Sequence, residues 1–204
     1  MEINIINSAA QNIAYRLNQY ANKEGIEFTK MVIGIEIFLI NISKLAIVYL
    51  IAIILGSLVQ TIIVHGAYVL IKRHSFGLHA LNSTVCTVVS YILFAIVPWL
   101  LSGVTVGNGV IFVVFPLIIL SLYLFAPADT KARPIIGSKI RTRLKWKSIF
   151  CGMLLMIATL LVPSEAAKFL MTLGAAYQIV SILPLTYKIL KRSEKNYEQY
   201  EKHA

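Results

Sequence analysis

Six apolar runs follow one another along the chain, each bounded by a short polar or glycine-containing stretch. They cover residues 31–55, 58–71, 83–101, 110–125, 148–162 and 169–187. A membrane-spanning α-helix needs about 20 consecutive apolar residues. Several of these runs are shorter, so they fit a bilayer only as tilted or re-entrant helices or where the bilayer thins. The pattern predicts an all-α, polytopic integral membrane protein with about six transmembrane or re-entrant helices.

The N-terminal segment, residues 1–24, has a different pattern. Its apolar side chains recur at helical spacing, at Ile6, Ala9, Ala10, Ile13, Leu17 and Tyr20. A helix with one apolar face can lie in the membrane–water interface, although a helix packed on other protein has the same pattern. We predict a single membrane domain: an amphipathic interfacial helix (1–24), a transmembrane bundle (31–187) and a solvated cytoplasmic tail (188–204).

The composition supports a membrane protein, and a membrane setting explains the net positive charge. Hydrophobic residues make up 58% of the chain and charged residues only 14%, which excludes an ordinary soluble domain. The net charge of +10 would suggest nucleic acid in a soluble protein. In a membrane protein, cationic segments instead stay in the cytoplasm and contact anionic lipids. We therefore expect anionic lipid partners and no nucleic acid.

The basic residues also predict the topology. Lys and Arg concentrate in the N-terminal segment, at Lys72 and Arg73, in a loop at 131–147, and in the tail. Two apolar runs separate each of these places from the next, so all four lie on one side of the membrane. The positive-inside rule makes that side the cytoplasm. Both termini are then cytoplasmic.

A histidine and a cysteine stand where the third apolar run begins. His79 precedes Cys86 by seven residues, which in a straight helix is about 10.5 Å and too far for a hydrogen bond. The two can meet only if His79 folds back over the helix start. Gly77 loosens the chain there, and Asn82 or Ser83 can cap the helix.

With either cap, Cys86 lies in the first turn of the helix, whose positive end favours a thiolate. Lys72, Arg73 and a charged His79 act in the same direction. Cys86 is thus a candidate nucleophile with His79 as its base. The alternatives are a packed, inert cysteine and a histidine that reaches toward interfacial water. A metal site formed by His65, His74, His79 and Cys86 lacks any closely spaced ligand pair, so we predict no metal.

The same residues form a recognisable pattern. The chain resembles the accessory gene regulator B (AgrB) family of Gram-positive quorum sensing. The resemblance rests on Lys72 and Arg73, on Gly77-Leu78-His79-Ala80, on Cys86, on "GIE" at 34–36 followed by Asn41 and Lys44, and on "APADTKARPI" at 126–135. One departure is Phe76, where many members have a second glycine.

The resemblance implies a bacterial cell-membrane cysteine endopeptidase without a cofactor, whose active site faces the cytoplasm. Such an enzyme cleaves the C-terminal part from an AgrD-like propeptide and holds the remaining peptide as a thioester. A Cys or Ser of that peptide then closes a thiolactone or lactone ring. By this resemblance Cys86 is the nucleophile and His79 the base.

Further residues have supporting or alternative interpretations. Glu36, an ionisable group inside an apolar run, either orients His79 or forms an ion pair with Lys44 or Arg73. Gly77 and Ser83 shape the active-site turn. The basic stretch either docks an acidic part of the propeptide or anchors lipid head groups, through Lys139, Arg141, Arg143 and Lys145.

The sequence is also compatible with two other functions and with a homodimeric state. A small peptide transporter would use the polar groups inside the apolar runs, although no inverted repeat is evident. A non-catalytic scaffold would only present a partner to other enzymes. A homodimer is compatible with the sequence, and no residue decides it.

Overall fold

The computed structural model describes residues 2–78, 83–131 and 133–201, and these residues are mainly helical. A π-helical turn, Ile92–Ile96, joins two of the helices. The α-helices are α1 (Glu2–Ala21), α2 (Gly25–Ile54), α3 (Leu58–Ser75), α4 (Ser83–Tyr91), α5 (Val97–Leu100), α6 (Asn108–Phe125), α7 (Ser138–Leu161), α8 (Glu165–Ile182), α9 (Pro184–Ile189) and α10 (Tyr197–Glu201). Within those three ranges the only β-type pairings are isolated bridges, which agrees with the predicted all-α class.

Within the described ranges, three helices are long and apolar enough to cross a membrane: α2, α6 and α7. They support an integral membrane protein. Helix α3 and the α4–α5 segment correspond to predicted runs but do not meet the same length and composition requirements. The six crossings, and the orientation of the termini, therefore stay predictions.

Residues 1–51 form one compact unit, made of α1 and most of α2. The predicted N-terminal helix is present, and the rings of Tyr15 and Phe28 lie 5.2 Å apart. Its small residues Ala10 and Ala14 are buried, whereas larger side chains of the predicted apolar face are exposed, namely Ile13, Leu17 and Tyr20. Contact of this exposed face with lipid stays a prediction.

Residues 52–204 form the second unit, a helical bundle. Helix α3 packs on α7 and α8, and α6 packs on the same two helices. The core is aliphatic and aromatic, with Ile71, Ile111, Phe115, Ile118, Leu122, Leu155, Ala175, Ile179 and Ile182 among its members. Gly174 lets α8 approach α3 closely, because a Cβ there would lie 2.3 Å from the carbonyl oxygen of Val64.

Two segments differ from the sequence prediction. The basic stretch at 139–147, predicted as part of a loop, forms the first turns of α7. The last apolar run, 169–187, is not one helix, because α8 ends at Ile182 and α9 begins at Pro184. Proline has no N–H to continue a helix, and its fixed φ suits a first turn.

The tail also differs from the prediction. Residues 188–204 were expected to be solvated, and the structure instead holds residues 196–201 against the segment between α6 and α7. Asn196 is 3% exposed, and its backbone N–H donates a 3.0 Å hydrogen bond to the carboxylate of Asp129. Hydrogen bonds to groups 60 or more residues earlier therefore hold this end of the tail, while most of its other described residues stay exposed.

Candidate functional site

Cys86 lies in the first turn of α4, which begins at Ser83, as the sequence predicted. The cysteine is a free thiol and is half-buried. Lys72 and Tyr68, both on α3, lie within electrostatic range of it. The cysteine thus combines partial access, a helix N-terminus and a cation.

Two contacts hold Lys72 in this position. Its Nζ atom lies 5.0 Å from the centroid of the Tyr68 ring, a cation–π geometry. The same atom is 3.5 Å from the carbonyl oxygen of Leu78. Lys72 therefore links the end of α3, the chain that leaves it, and the surroundings of Cys86.

Residues 75 and 76, at the C-terminal end of α3, are held by a buried side chain of α8. Gln178 is fully buried, and its Nε2 donates 2.7 Å hydrogen bonds to Ser75 Oγ and to the carbonyl oxygen of Phe76. Each bond satisfies a polar group at the C-terminal end of α3. Gln178 thereby sets the direction in which the chain leaves the helix.

Backbone hydrogen bonds complete this attachment. Gly77 donates to the carbonyl oxygen of Ala128 at 2.9 Å, and Ala128 donates to that of Ser75 at 2.9 Å. Leu78 donates to the carbonyl oxygen of Ser181 at 3.0 Å. Residues 75–78 are thus held on one side by α8 and on the other by the segment after α6.

Gln178 and Ser181 were not among the residues predicted for the site. The signal that identifies them is the presence of two polar side chains inside the last apolar run. Such groups need hydrogen-bonding partners when they are buried. Sequence alone does not say that the partners of the Gln178 side chain lie about a hundred residues earlier, at Ser75 and Phe76.

The structure places the other predicted site residues in different surroundings. His79, with the rest of 79–82, lies outside the described residues, as does the side chain of Ser83. Arg73 is exposed on the last turn of α3. Glu36 is half-buried within α2, in the other unit. Its predicted role stays a prediction.

The four cations of the predicted docking stretch are not equivalent. Lys139 and Arg143 are exposed on α7. Arg141 and Lys145 are half-buried, one turn apart, and line a cavity next to residues 126–129. Arg141 already forms a salt bridge, with Glu201 of the tail.

An aromatic cluster lies along α3 beside the cysteine-bearing helix. The ring of Phe94, in the π-helical turn, is 4.9 Å from the rings of His65 and of Tyr68, and 6.0 Å from that of Tyr177. Packing among aromatic rings accounts for His65 without a ligand role. Across 2–78, 83–131 and 133–201, no group of three His, Cys, Asp or Glu side chains is arranged to hold a metal ion.

Comparison with known proteins identifies the family. The model of the family described as accessory gene regulator B matches residues 8–182. The chain belongs to this family. Among AgrB-like relatives, a putative AgrB-like protein of Clostridium acetobutylicum is 40% identical over 198 residues, covering 97% of this chain and 95% of that protein. No solved structure matches the chain significantly.

Two further relatives widen the comparison. A putative AgrB-like protein of Listeria monocytogenes is 42% identical over 174 residues, or 85% of each chain. The accessory gene regulator protein B of Staphylococcus haemolyticus is 30% identical over 182 residues, which cover 89% of this chain and 96% of that protein. The match therefore spans both units and includes the His–Cys segment.

Proposed function

We propose that this AgrB family member is a membrane-embedded cysteine endopeptidase that processes a quorum-sensing propeptide of the AgrD type. The observation that carries the proposal is the placement of Cys86. It lies half-buried in the first described turn of α4 with Lys72 in electrostatic range, and residues 75–78, earlier in the same connection, are held by hydrogen bonds to α8 and to the segment after α6. Activated thiols occur in surroundings of this kind.

In the proposed reaction the Cys86 thiolate attacks the carbonyl carbon of the scissile peptide bond. The C–N bond breaks, and a proton from the imidazolium of His79 goes to the leaving amine. The leader-side peptide stays on Cys86 as a thioester. A Cys thiol or Ser hydroxyl of that peptide then attacks the thioester carbonyl, gives its proton to His79, and releases Cys86 as a thiolate. Exchange of one thioester for another is nearly neutral in energy, so ring closure needs no ATP.

The surrounding residues have supporting roles in this scheme. Lys72, held by the Tyr68 ring and the Leu78 carbonyl oxygen, supplies a polar group near Cys86. Gln178 and the backbone carbonyl of Ser181 hold residues 75–78, which precede His79 in the sequence. Their contribution is positional, because they contact the backbone at 75–78. Glu36 is proposed to assist His79 or to form an ion pair within the bundle.

A membrane setting suits this chemistry. A thioester in open water hydrolyses, whereas at the edge of a bilayer water is scarce and the attacking group of the bound peptide is held close. We propose six crossings or re-entrant segments in the bacterial cell membrane, with both termini and Cys86 on the cytoplasmic side. Lys139 and Arg143, exposed on α7, then contact anionic lipids.

A pair of cysteine variants tests the proposal, since the chain has only two cysteines. The chain is co-expressed with a short propeptide encoded beside its gene, and the products are weighed by mass spectrometry. Cys86→Ala is expected to abolish cleavage. Cys151→Ala, at a buried position in α7, is the matched control and is expected to retain it. Processed peptide from Cys86→Ala would favour a transporter or scaffold instead.

A further inference from the structure

A cavity of about 580 Å³ lies between the start of α7, the segment at 126–129 and the tail. Its lining carries charges of both signs. Two cations lie one turn apart on α7, an acid comes from the segment at 126–129, and two aromatic rings come from α9 and the tail. These side chains are Asp129, Arg141, Lys145, Tyr187 and Tyr197. A cavity lined in this way can hold a charged peptide.

The tail forms one wall of this cavity, through Lys195 and Tyr197, and is held there by contacts with Asp129. The carboxylate of Asp129 is 4% exposed and accepts hydrogen bonds from the backbone N–H groups of Asn196 (3.0 Å) and Tyr197 (2.9 Å). Its backbone carbonyl accepts a 2.8 Å bond from the Tyr187 hydroxyl. One loop residue thus anchors an incoming peptide backbone.

A carboxylate of the tail binds Arg141, one of the two cations that line the cavity. Both oxygens of Glu201 accept hydrogen bonds from the Arg141 guanidinium, at 2.5 and 3.1 Å. The backbone N–H of Gly137 donates to one of them at 2.9 Å. The guanidinium also lies 3.9 Å from the centroid of the Tyr197 ring. The site therefore recognises a carboxylate and a nearby aromatic ring, both supplied by one short peptide.

The same helix offers a second cation. Lys145 lines the cavity one turn after Arg141, and its Nζ lies 4.4 Å from the Tyr123 ring. Among the described residues it forms no salt bridge, since Lys145 is absent from the two that are present. The cavity can therefore hold a peptide that carries more than one acidic group.

We propose that this cavity is a binding site for an acidic peptide, and that residues 196–201 are a tethered occupant which such a peptide displaces. Displacement is feasible because Glu201 is exposed and α10 has only five residues. The wall formed by Ala128 is hydrogen-bonded to Gly77, two residues before His79. A peptide bound here therefore runs beside the segment of the proposed active site.

That the bound peptide is part of the propeptide rests on the proposed function. That the cavity binds an acidic peptide does not depend on it. The probe is a fluorescein-labelled, C-terminally amidated peptide with the sequence of residues 196–201, NYEQYE. Its affinity is measured by fluorescence anisotropy on the full chain in phosphatidylcholine nanodiscs, which carry no net lipid charge. A tail that fills the site nine-tenths of the time weakens the apparent Kd of a competitor about tenfold.

Glu201→Gln is therefore expected to bind the probe about tenfold more tightly than the unchanged chain. Glu198→Gln is the matched control, because Glu198 is on the same short helix and forms neither of the two salt bridges found among the described residues, and it is expected to bind like the unchanged chain. Adding Arg141→Gln to Glu201→Gln is expected to remove the gain, whereas adding Arg143→Gln retains it. Equal binding by the unchanged chain and Glu201→Gln, or a gain that survives Arg141→Gln, would overturn the proposal.

Two features keep the result interpretable. A single symmetric peak in size-exclusion chromatography verifies that each variant is folded. The Arg143→Gln variant shows whether loss of any cation on α7 removes the gain in probe affinity. The binding series is repeated with Cys86→Ala. Both proposals predict that Cys86→Ala binds the probe normally and cleaves nothing. Cleavage by Cys86→Ala together with normal probe binding would refute the endopeptidase alone, and normal cleavage by the unchanged chain without tail competition would refute the peptide site alone.

Discussion

Replacing Gly77 with alanine tests whether the segment before His79 must keep its observed path. Gly77 is buried and has a φ of +106°, in a region that side chains with a Cβ rarely adopt. A Cβ at this position would lie 2.6 Å from Ser181 Oγ and 2.9 Å from the Ser181 carbonyl oxygen. The hydroxyl can rotate away, but the carbonyl belongs to α8 and also accepts the Leu78 hydrogen bond.

The cost has two parts. A residue held in such a φ region costs of order 1–3 kcal/mol, and overpacking costs roughly 1–3 kcal/mol more. If the substitution makes the arrangement of residues 75–78 that permits cleavage only about 2 kcal/mol less stable, cleavage slows roughly thirtyfold. We therefore expect Gly77→Ala to lower the cleavage rate at least about thirtyfold, with little loss of folded protein if the segment moves alone.

The assay combines propeptide cleavage with thiol reactivity. Cleavage is followed by mass spectrometry, and maleimide labelling of Cys86 is timed in a Cys151→Ala background, where Cys86 is the one remaining cysteine. Gly66→Ala is the matched control, because it lies within α3 and no atom is within 4 Å of its added Cβ. Alanine also favours a helix by up to about 1 kcal/mol over glycine.

The two variants must separate clearly for the reasoning to stand. Gly66→Ala should cleave at the unchanged rate and melt no lower than the original chain. If Gly77→Ala cleaves within about threefold of the original and labels equally fast, then the path of residues 75–78 does not set the reactivity of the site, and the positional role assigned to Gln178 fails with it.

Two further predictions concern the hydrogen bonds on either side of that segment. Gln178→Leu leaves the Phe76 carbonyl without its hydrogen-bond donor, which costs about 1–3 kcal/mol. We therefore expect cleavage to be roughly tenfold slower. The control is Gln199→Leu, at an exposed position. Hydrogen bonds from Arg141 and then from Gly137 hold the pKa of Glu201 below its ordinary value of 4.5. The tail contact is therefore complete above pH 4.5 and is lost as the pH falls through the lowered pKa. A fluorescent label at the C-terminus should gain mobility only in that acidic range, and Glu201→Gln should have the mobile signal already at pH 7.

Much of the fold is readable from the apolar pattern, because a helix in lipid must be apolar over most of its length. The runs predicted α2, α3, α6 and the placement of Cys86 at the start of α4. The partners of the polar residues inside the apolar runs cannot be predicted in the same way. Gln178 is fully buried because its amide satisfies the end of α3, a long-range pairing with no trace in local periodicity.

The tail illustrates the same limit. Its composition, rich in Lys and Glu, is typical of a solvated segment. The contacts that hold it depend on a single buried acid, Asp129, and on one guanidinium on α7. Both lie more than 50 residues earlier in the sequence. Charge patterning identifies groups that can pair, and only the three-dimensional path of the chain decides which of them do.

Trapping of the acyl-enzyme tests the central claim most directly. The propeptide is supplied with its ring-closing Cys or Ser replaced by alanine, so that the thioester cannot be resolved by cyclisation. Intact-mass and peptide mapping should then find the leader-side peptide on Cys86, in a bond that neutral hydroxylamine cleaves, with Cys151→Ala giving the same adduct. An unmodified Cys86 accompanied by normal propeptide cleavage would contradict the account.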